Sequence, residues 1–94
     1  MTRELIIKDY FTKRMTGERV DLEVMINRLT KTQLIQLTKN DTIFIRSDWN
    51  KQQIVERVMG SIEHVIYAIE CCTVRRENEP KQDFYKRVYF KYWL

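Results

Sequence analysis

The chain reads as an all-α protein, a compact bundle of four to five helices, and three observations predict this. Its composition is 44% hydrophobic and 32% charged, with only 2 Gly and 1 Pro, a balance that suits an ordered, helix-rich chain better than a disordered one. Apolar residues recur at steps of three and four along most of its length, the spacing of an amphipathic helix. Only one short segment is β-like, and one strand cannot form a sheet. At 94 residues there is room for one hydrophobic core, so residues 1–94 are expected to form a single small domain.

The first helix is carried by "TRELIIKDYFTKRM", where Leu5, Ile6, Tyr10, Phe11 and Met15 fall near helical spacing and Gly17 follows as a C-terminal cap. Asp21 is a suitable N-cap for the next stretch, with Leu22, Met25, Ile26, Leu29, Leu34 and Leu37 as its apolar positions. Thr30 to Thr32 mark a break and restart, because threonine is a poor interior residue and a fair cap. Two short helices are therefore expected, over 21–29 and 31–39. Asn40 and Asp41 form a turn signal, and Thr42 to Ile45 are β-branched or aromatic. This segment is expected to be an extended connector, with Ile43 and Ile45, or else Phe44, plugged into the core.

From Asn50 the pattern becomes one long helix, near 50–76. Ile54, Val58, Ile62, Val65, Ile69 and Cys72 step along one stripe, widened by Val55, Met59, Ile66 and Tyr67. Gly60 either bends this helix or lets another approach it. "RRENEP" ends it, since Pro80 disfavours helix in the residue before it and is welcome at the start of the next. The last helix, "KQDFYKRVYFKYWL", is rich in aromatics: Phe84, Tyr85, Tyr89, Phe90, Tyr92 and Trp93 stand with Val88 and Leu94.

Net charge is +4 and the pI about 9.2, which favours anionic partners. The bases gather toward the C-terminal end, where Arg75, Arg76, Lys81, Lys86, Arg87 and Lys91 outnumber Glu77, Glu79 and Asp83. Cys71 and Cys72 are adjacent, and neighbours on a helix point about 100° apart, so they are unsuited to pair with each other. They are expected to be small helix residues, one facing the core, in a reducing compartment. No signal peptide is evident and no apolar run approaches the roughly 18 residues of a membrane span, so cytoplasmic residence is expected.

Catalysis is not expected. The one histidine, His64, sits beside Glu63 in the long helix and lacks the positioned partner a general base needs. Cys71, Cys72 and His64 lack the paired spacing of a tetrahedral metal site, and no glycine-rich phosphate loop is present. The expectation is a binding protein without metal or cofactor.

Within "RSDWNKQQIVERV", residues 46–58, Asn50 can cap the long helix with Gln53 three positions on, an Asn/Gln form of the capping box. Ser47 or Asp48 would serve if the helix began earlier. The first turn then presents N–H groups suited to a phosphate oxygen. Arg46 and Lys51 flank it, and Trp49 offers either a flat stacking surface or a core plug.

"TKTQLIQLTKN", the connector and "NKQQIVERVMGSI" together resemble the helix–extended–helix arrangement of the SAP-type DNA-binding motif and its relative at the N-terminus of the Rho termination factor. The resemblance covers residues 30–60. Leu34 and Leu37 suit the leucine face of the first helix, and Lys51, Ile54, Val55, Arg57 and Val58 follow the Lys-x-x-apolar-apolar-x-Arg-apolar pattern of the second. The connector is longer than in those families, and Trp49 and Asn50 stand where a glycine precedes the second helix. The resemblance implies contact with the nucleic-acid backbone at Arg46, Ser47 and Lys51, with DNA ahead of RNA.

One such motif binds weakly, so a second basic surface or a dimer is called for. The C-terminal helix offers Lys86, Arg87 and Lys91 interleaved with Tyr85, Tyr89 and Tyr92, a face able to neutralise phosphate and stack on bases. Its apolar and aromatic content exceeds one stripe, which also suits a protein interface. Two functions follow: a small accessory or regulatory protein that binds nucleic acid, or an adaptor or inhibitor that docks a protein partner through Tyr85, Tyr89, Tyr92 and Trp93. A homodimer built on the long helix and this tail is expected in either case.

Overall fold

A computed structural model describes residues 2–93 and contains five helices: α1 Arg3–Met15, α2 Leu22–Asn27, α3 Lys31–Asn40, α4 Lys51–Cys71 and α5 Lys81–Trp93. Among the described residues there is no strand. Leu94, assigned above to the last helix, lies outside the described residues. The bundle measures 48 × 22 × 20 Å. α1 packs along α5, while α4 packs against α2 and α3 and touches α1. The buried side chains form one cluster, drawn from every helix and the connector.

Local chemistry explains the helix ends. Asp21 caps α2 by accepting from the amides of Glu23 and Val24. Thr30 with Gln33, and Asn50 with Gln53, form complete capping boxes on α3 and α4. α1 ends in a Schellman motif: the Gly17 amide donates to Arg14 and the Glu18 amide to Lys13. Gly17 has φ +82°, so its conformation calls for glycine, while the nearest atom to a Cβ there, Gln82 Nε2 of α5 at 2.9 Å, ends a flexible side chain that can move aside. The N-terminus of α1 is capped from a distance, because Asp41 accepts from the Arg3 amide at 2.7 Å while Arg3 Nη1 donates to Ser61 Oγ at 2.6 Å.

The connector takes the first of its two expected arrangements. Ile43 is buried and Ile45 packs against the core, while Phe44 is 74% exposed. Its entry is not β-like. Thr42 has φ +56°, and Thr42 and Ile43 close a Schellman-type turn onto Lys39 and Thr38. A β-branched residue is strained there. Gly60 meets nothing within 4 Å of a built Cβ, so no helix approaches it, and in mid-helix it only weakens α4. Thr42→Gly and Gly60→Ala are each expected to stabilise the protein by about 0.5–1 kcal/mol, read as a raised urea midpoint with unchanged slope.

α4 ends at Cys71, short of the expected residue 76. Thr73 buries its side chain, and α5 takes up the released carbonyls: Lys91 Nζ donates to the Cys72 carbonyl at 2.9 Å and Arg87 Nη2 to that of Val74 at 2.7 Å. The buried stripe of α4 accordingly stops at Ile66, with Ile69 half-buried. Cys71 and Cys72 are both free and exposed. The expectation that one faces the core is therefore corrected, since the turn hands the inward position to Thr73. No helix among the described residues is long and apolar enough to cross a membrane.

Candidate nucleic-acid interface

α3, the connector and the first turn of α4 enclose a groove of about 320 Å³, lined by Lys31, Ile35, Ile45, Arg46, Ser47, Trp49 and Ile54. Each wall has a local cause. The Thr30 capping box starts α3 at Lys31, which puts that lysine in the groove's lining and Ile35 one turn further along. Burial of Ile43 and the packing of Ile45 pin the connector, which brings Arg46 and Ser47 into the groove's lining. Trp49 is half-buried, one side of it packed on the core. The expected alternatives for this indole, core plug or exposed surface, are thus both partly met.

The electrostatics of this groove differ from those of its neighbours. Lys31 and Arg46 line it and no carboxylate does. Four other grooves on the surface each carry at least one Asp or Glu on the wall. Arg46 pairs with Asp48 at 3.2 Å, but both side chains are well exposed, and exposed pairs hold weakly, at about 0–1 kcal/mol. A phosphate can displace that partner. Asp48→Asn is therefore expected to tighten the binding of any anion here about two- to fivefold, measured by the same titration on both chains.

Lys51 is committed differently. Its Nζ donates at 2.9 Å to the carbonyl of Asn27, the last residue of α2, so it caps one helix from the first position of another. Two of the three ammonium protons remain for other acceptors. The capping box also takes the Gln53 amide, which leaves the amides of Lys51 and Gln52 as the ones a phosphate would meet in that first turn.

The C-terminal bases stand elsewhere. Arg87 and Lys91 fasten the turn after α4, a helix about 30 Å long at ~1.5 Å per residue, and so lie at its far end from the groove. Arg87 makes a bidentate pair with Glu79, Nε and Nη2 each at 2.7 Å. Lys86 is exposed on α5. The Glu79 side chain is only 8% exposed, and its hydrogen bonds, above all those from Arg87, hold its carboxyl well below the ordinary 4.5, at about 2. The folded state thus binds that proton more weakly than the unfolded state. The resulting stabilisation is complete above the unfolded value and is lost as pH falls from about 4.5 toward 2. Glu79→Gln is expected to flatten this acid limb, read from urea midpoints between pH 7 and pH 2.

Most of the expected partner-binding aromatics are built into the seam between α1 and α5. The ring of Phe11 lies 5.9 Å from Tyr85 and 5.7 Å from Trp93, and Tyr89 stacks on Trp93 at 5.5 Å. Arg14 Nη2 donates to the Tyr85 hydroxyl at 3.0 Å, its guanidinium 4.7 Å from the ring centre. Beside them, burial first and Tyr85 second push the Tyr10 hydroxyl up to about 12, and burial raises the Glu70 carboxyl. Tyr85, Tyr89 and Trp93 are half-buried, while Tyr92 is 41% and Phe90 52% exposed.

Two residues escape the sequence reading. Phe90 is more exposed than the tyrosines chosen around it. Lys31 has a visible signal: Thr30-Lys31-Thr32-Gln33 repeats the cap-Lys-x-Gln form of Asn50-Lys51-Gln52-Gln53, which places a lysine at the first position of both helices. Among the described residues no group of three or more His, Cys, Asp and Glu is placed to hold a metal. Compared with known proteins, the chain matches no family model, no curated protein and no solved structure.

Proposed function

We propose that this protein binds nucleic acid by its phosphate backbone, at the groove between α3 and the start of α4. The observation that carries this reading is the groove's charge: Lys31, Arg46 and the Ser47 hydroxyl line it and no carboxylate does. The succession α3, extended connector, α4 supports it through the resemblance to the SAP-type motif, as does the net charge of +4. Phosphate contacts of this kind supply affinity and register with little selectivity for sequence. The role is that of a small accessory or regulatory protein, with DNA as its ligand ahead of RNA. Lys51 joins the site through its free ammonium protons. Arg87 and Lys91 serve the turn instead, so the groove bears the proposal, and of the three expected bases on α5 Lys86 is the one left for it.

The test is fluorescence anisotropy of labelled oligonucleotides titrated at low and at physiological salt. Two or three phosphate contacts predict saturable binding whose logarithm falls with log salt at a slope of about −2 to −3. Absence of binding at low salt, where attraction is strongest, sinks the reading.

One observation favours a second reading, a protein-binding adaptor or a homodimer. Tyr67, Val74, Phe90 and Tyr92 are all exposed in the C-terminal part of the chain, where apolar side chains suit an interface. Light scattering decides whether two copies associate, and a monomer that binds no oligonucleotide leaves an adaptor or inhibitor with another protein as its partner.

A further inference from the structure

The groove's lining is of two chemistries, and the difference narrows the ligand. Part of it is cationic and hydroxylic, at Lys31, Arg46 and Ser47, whereas the rest is apolar, formed by Ile35, Ile45, Ile54 and the Trp49 indole. Phosphate alone has no use for the apolar part, because burying apolar surface against an ionised, hydrated group gains nothing. At about 320 Å³ the space is at the small end of ligand pockets, with room for one planar ring system.

We propose that the groove takes one unstacked base of a single-stranded nucleic acid, its flanking phosphates on Lys31 and Arg46. This deepens the proposed function and rests on it. The two cationic side chains come from different segments of the groove's lining, Lys31 from α3 and Arg46 from the connector, so a strand lying in it meets a cation from each. The charge there is complementary to the two phosphates that flank one nucleoside, and the apolar part of the lining is complementary to the ring between them. Stacking of a base on an aromatic side chain is tolerant of sequence, since every base presents a π-face. A duplex keeps its bases paired and stacked, and would have to flip one out to use the same apolar surface. The preference is therefore for single strands, loops or frayed ends.

The decisive comparison uses three probes of equal length: oligothymidylate, a duplex, and an abasic oligonucleotide that keeps every phosphate and lacks the rings. Tryptophan fluorescence and anisotropy are followed together at low salt. Base uptake predicts that oligothymidylate binds about tenfold or more tighter than both other probes and quenches the indole, and that Trp49→Phe, which keeps an apolar ring in place, removes the quench. If the abasic strand binds as tightly as oligothymidylate, the base does not enter the groove: this inference falls while phosphate binding stands. Equal affinity for the duplex overturns it in the same way. If none of the three probes binds, the proposed function falls with it.

Discussion

Phe11→Ala is expected to remove about 3–5 kcal/mol of stability, a large part of what a domain of this size has at roughly 5–15 kcal/mol. Phe11 is 0% exposed and sits at the centre of the α1/α5 seam, with Tyr10 edge-on at 5.2 Å and Tyr85 and Trp93 tilted against it. Alanine would leave a ring-sized cavity between two helices that hold each other more than they are held by α4. The partners cannot collapse into it freely. Tyr85 is tied to Arg14, and the side of α5 away from α1 is fixed by Arg87 and Lys91 on the turn. Urea unfolding followed by far-UV circular dichroism measures the loss, and a change below about 1 kcal/mol would mean that the seam does not pack as described. Phe90→Ala is the control, since an exposed ring of the same size should change the midpoint little.

The largest effect on binding is expected from Lys31→Glu combined with Arg46→Glu. Each substitution removes a charge-assisted contact, worth about 1.5 kcal/mol or more, and adds a repulsion. Together they predict at least a 100-fold loss of oligonucleotide affinity at low salt and a salt slope smaller by about two. Both side chains are exposed, so folding is expected to survive, and the urea midpoint checks this directly. Lys86→Glu supplies the comparison. It reverses an exposed base of α5 and should leave the slope nearly unchanged, whereas a loss equal to that of the groove variant would move the site to the C-terminal helix. Lys51→Glu is a poorer probe than the resemblance to the SAP-type motif suggests, because its ammonium also caps α2 at Asn27 and the variant mixes stability with binding.

The legibility of this chain varies with the range of the forces at work. The caps were readable because a capping box involves residues three positions apart and no others: Thr30 with Gln33, and Asn50 with Gln53, lie in the sequence as they lie in the structure. Gly17 was readable for the same reason. The end of α4 was not. The stripe continues in the sequence through Ile69 to Cys72, and only the arrival of Lys91 and Arg87 at the carbonyls of Cys72 and Val74 makes stopping at Cys71 favourable. Nor could the sequence say that Arg87 is spent on Glu79, since their hydrogen bond depends on the course of the turn between α4 and α5.

The sequence by itself determined the helical class, a count of four to five helices and the connector between α3 and α4, because backbone propensity, capping and amphipathic spacing act within a few residues. The tertiary structure alone decided which bases are free, which aromatics are core and where the groove lies. Lys31 and Arg46 are 15 positions apart in the chain and share a groove, while Arg46 and Arg87 both pair with a carboxylate, the first pair well exposed and the second half-buried. A charged side chain takes its role from the nearest acceptor in space, and an aromatic from the surface left to cover it. Both are settled only when the helices pack.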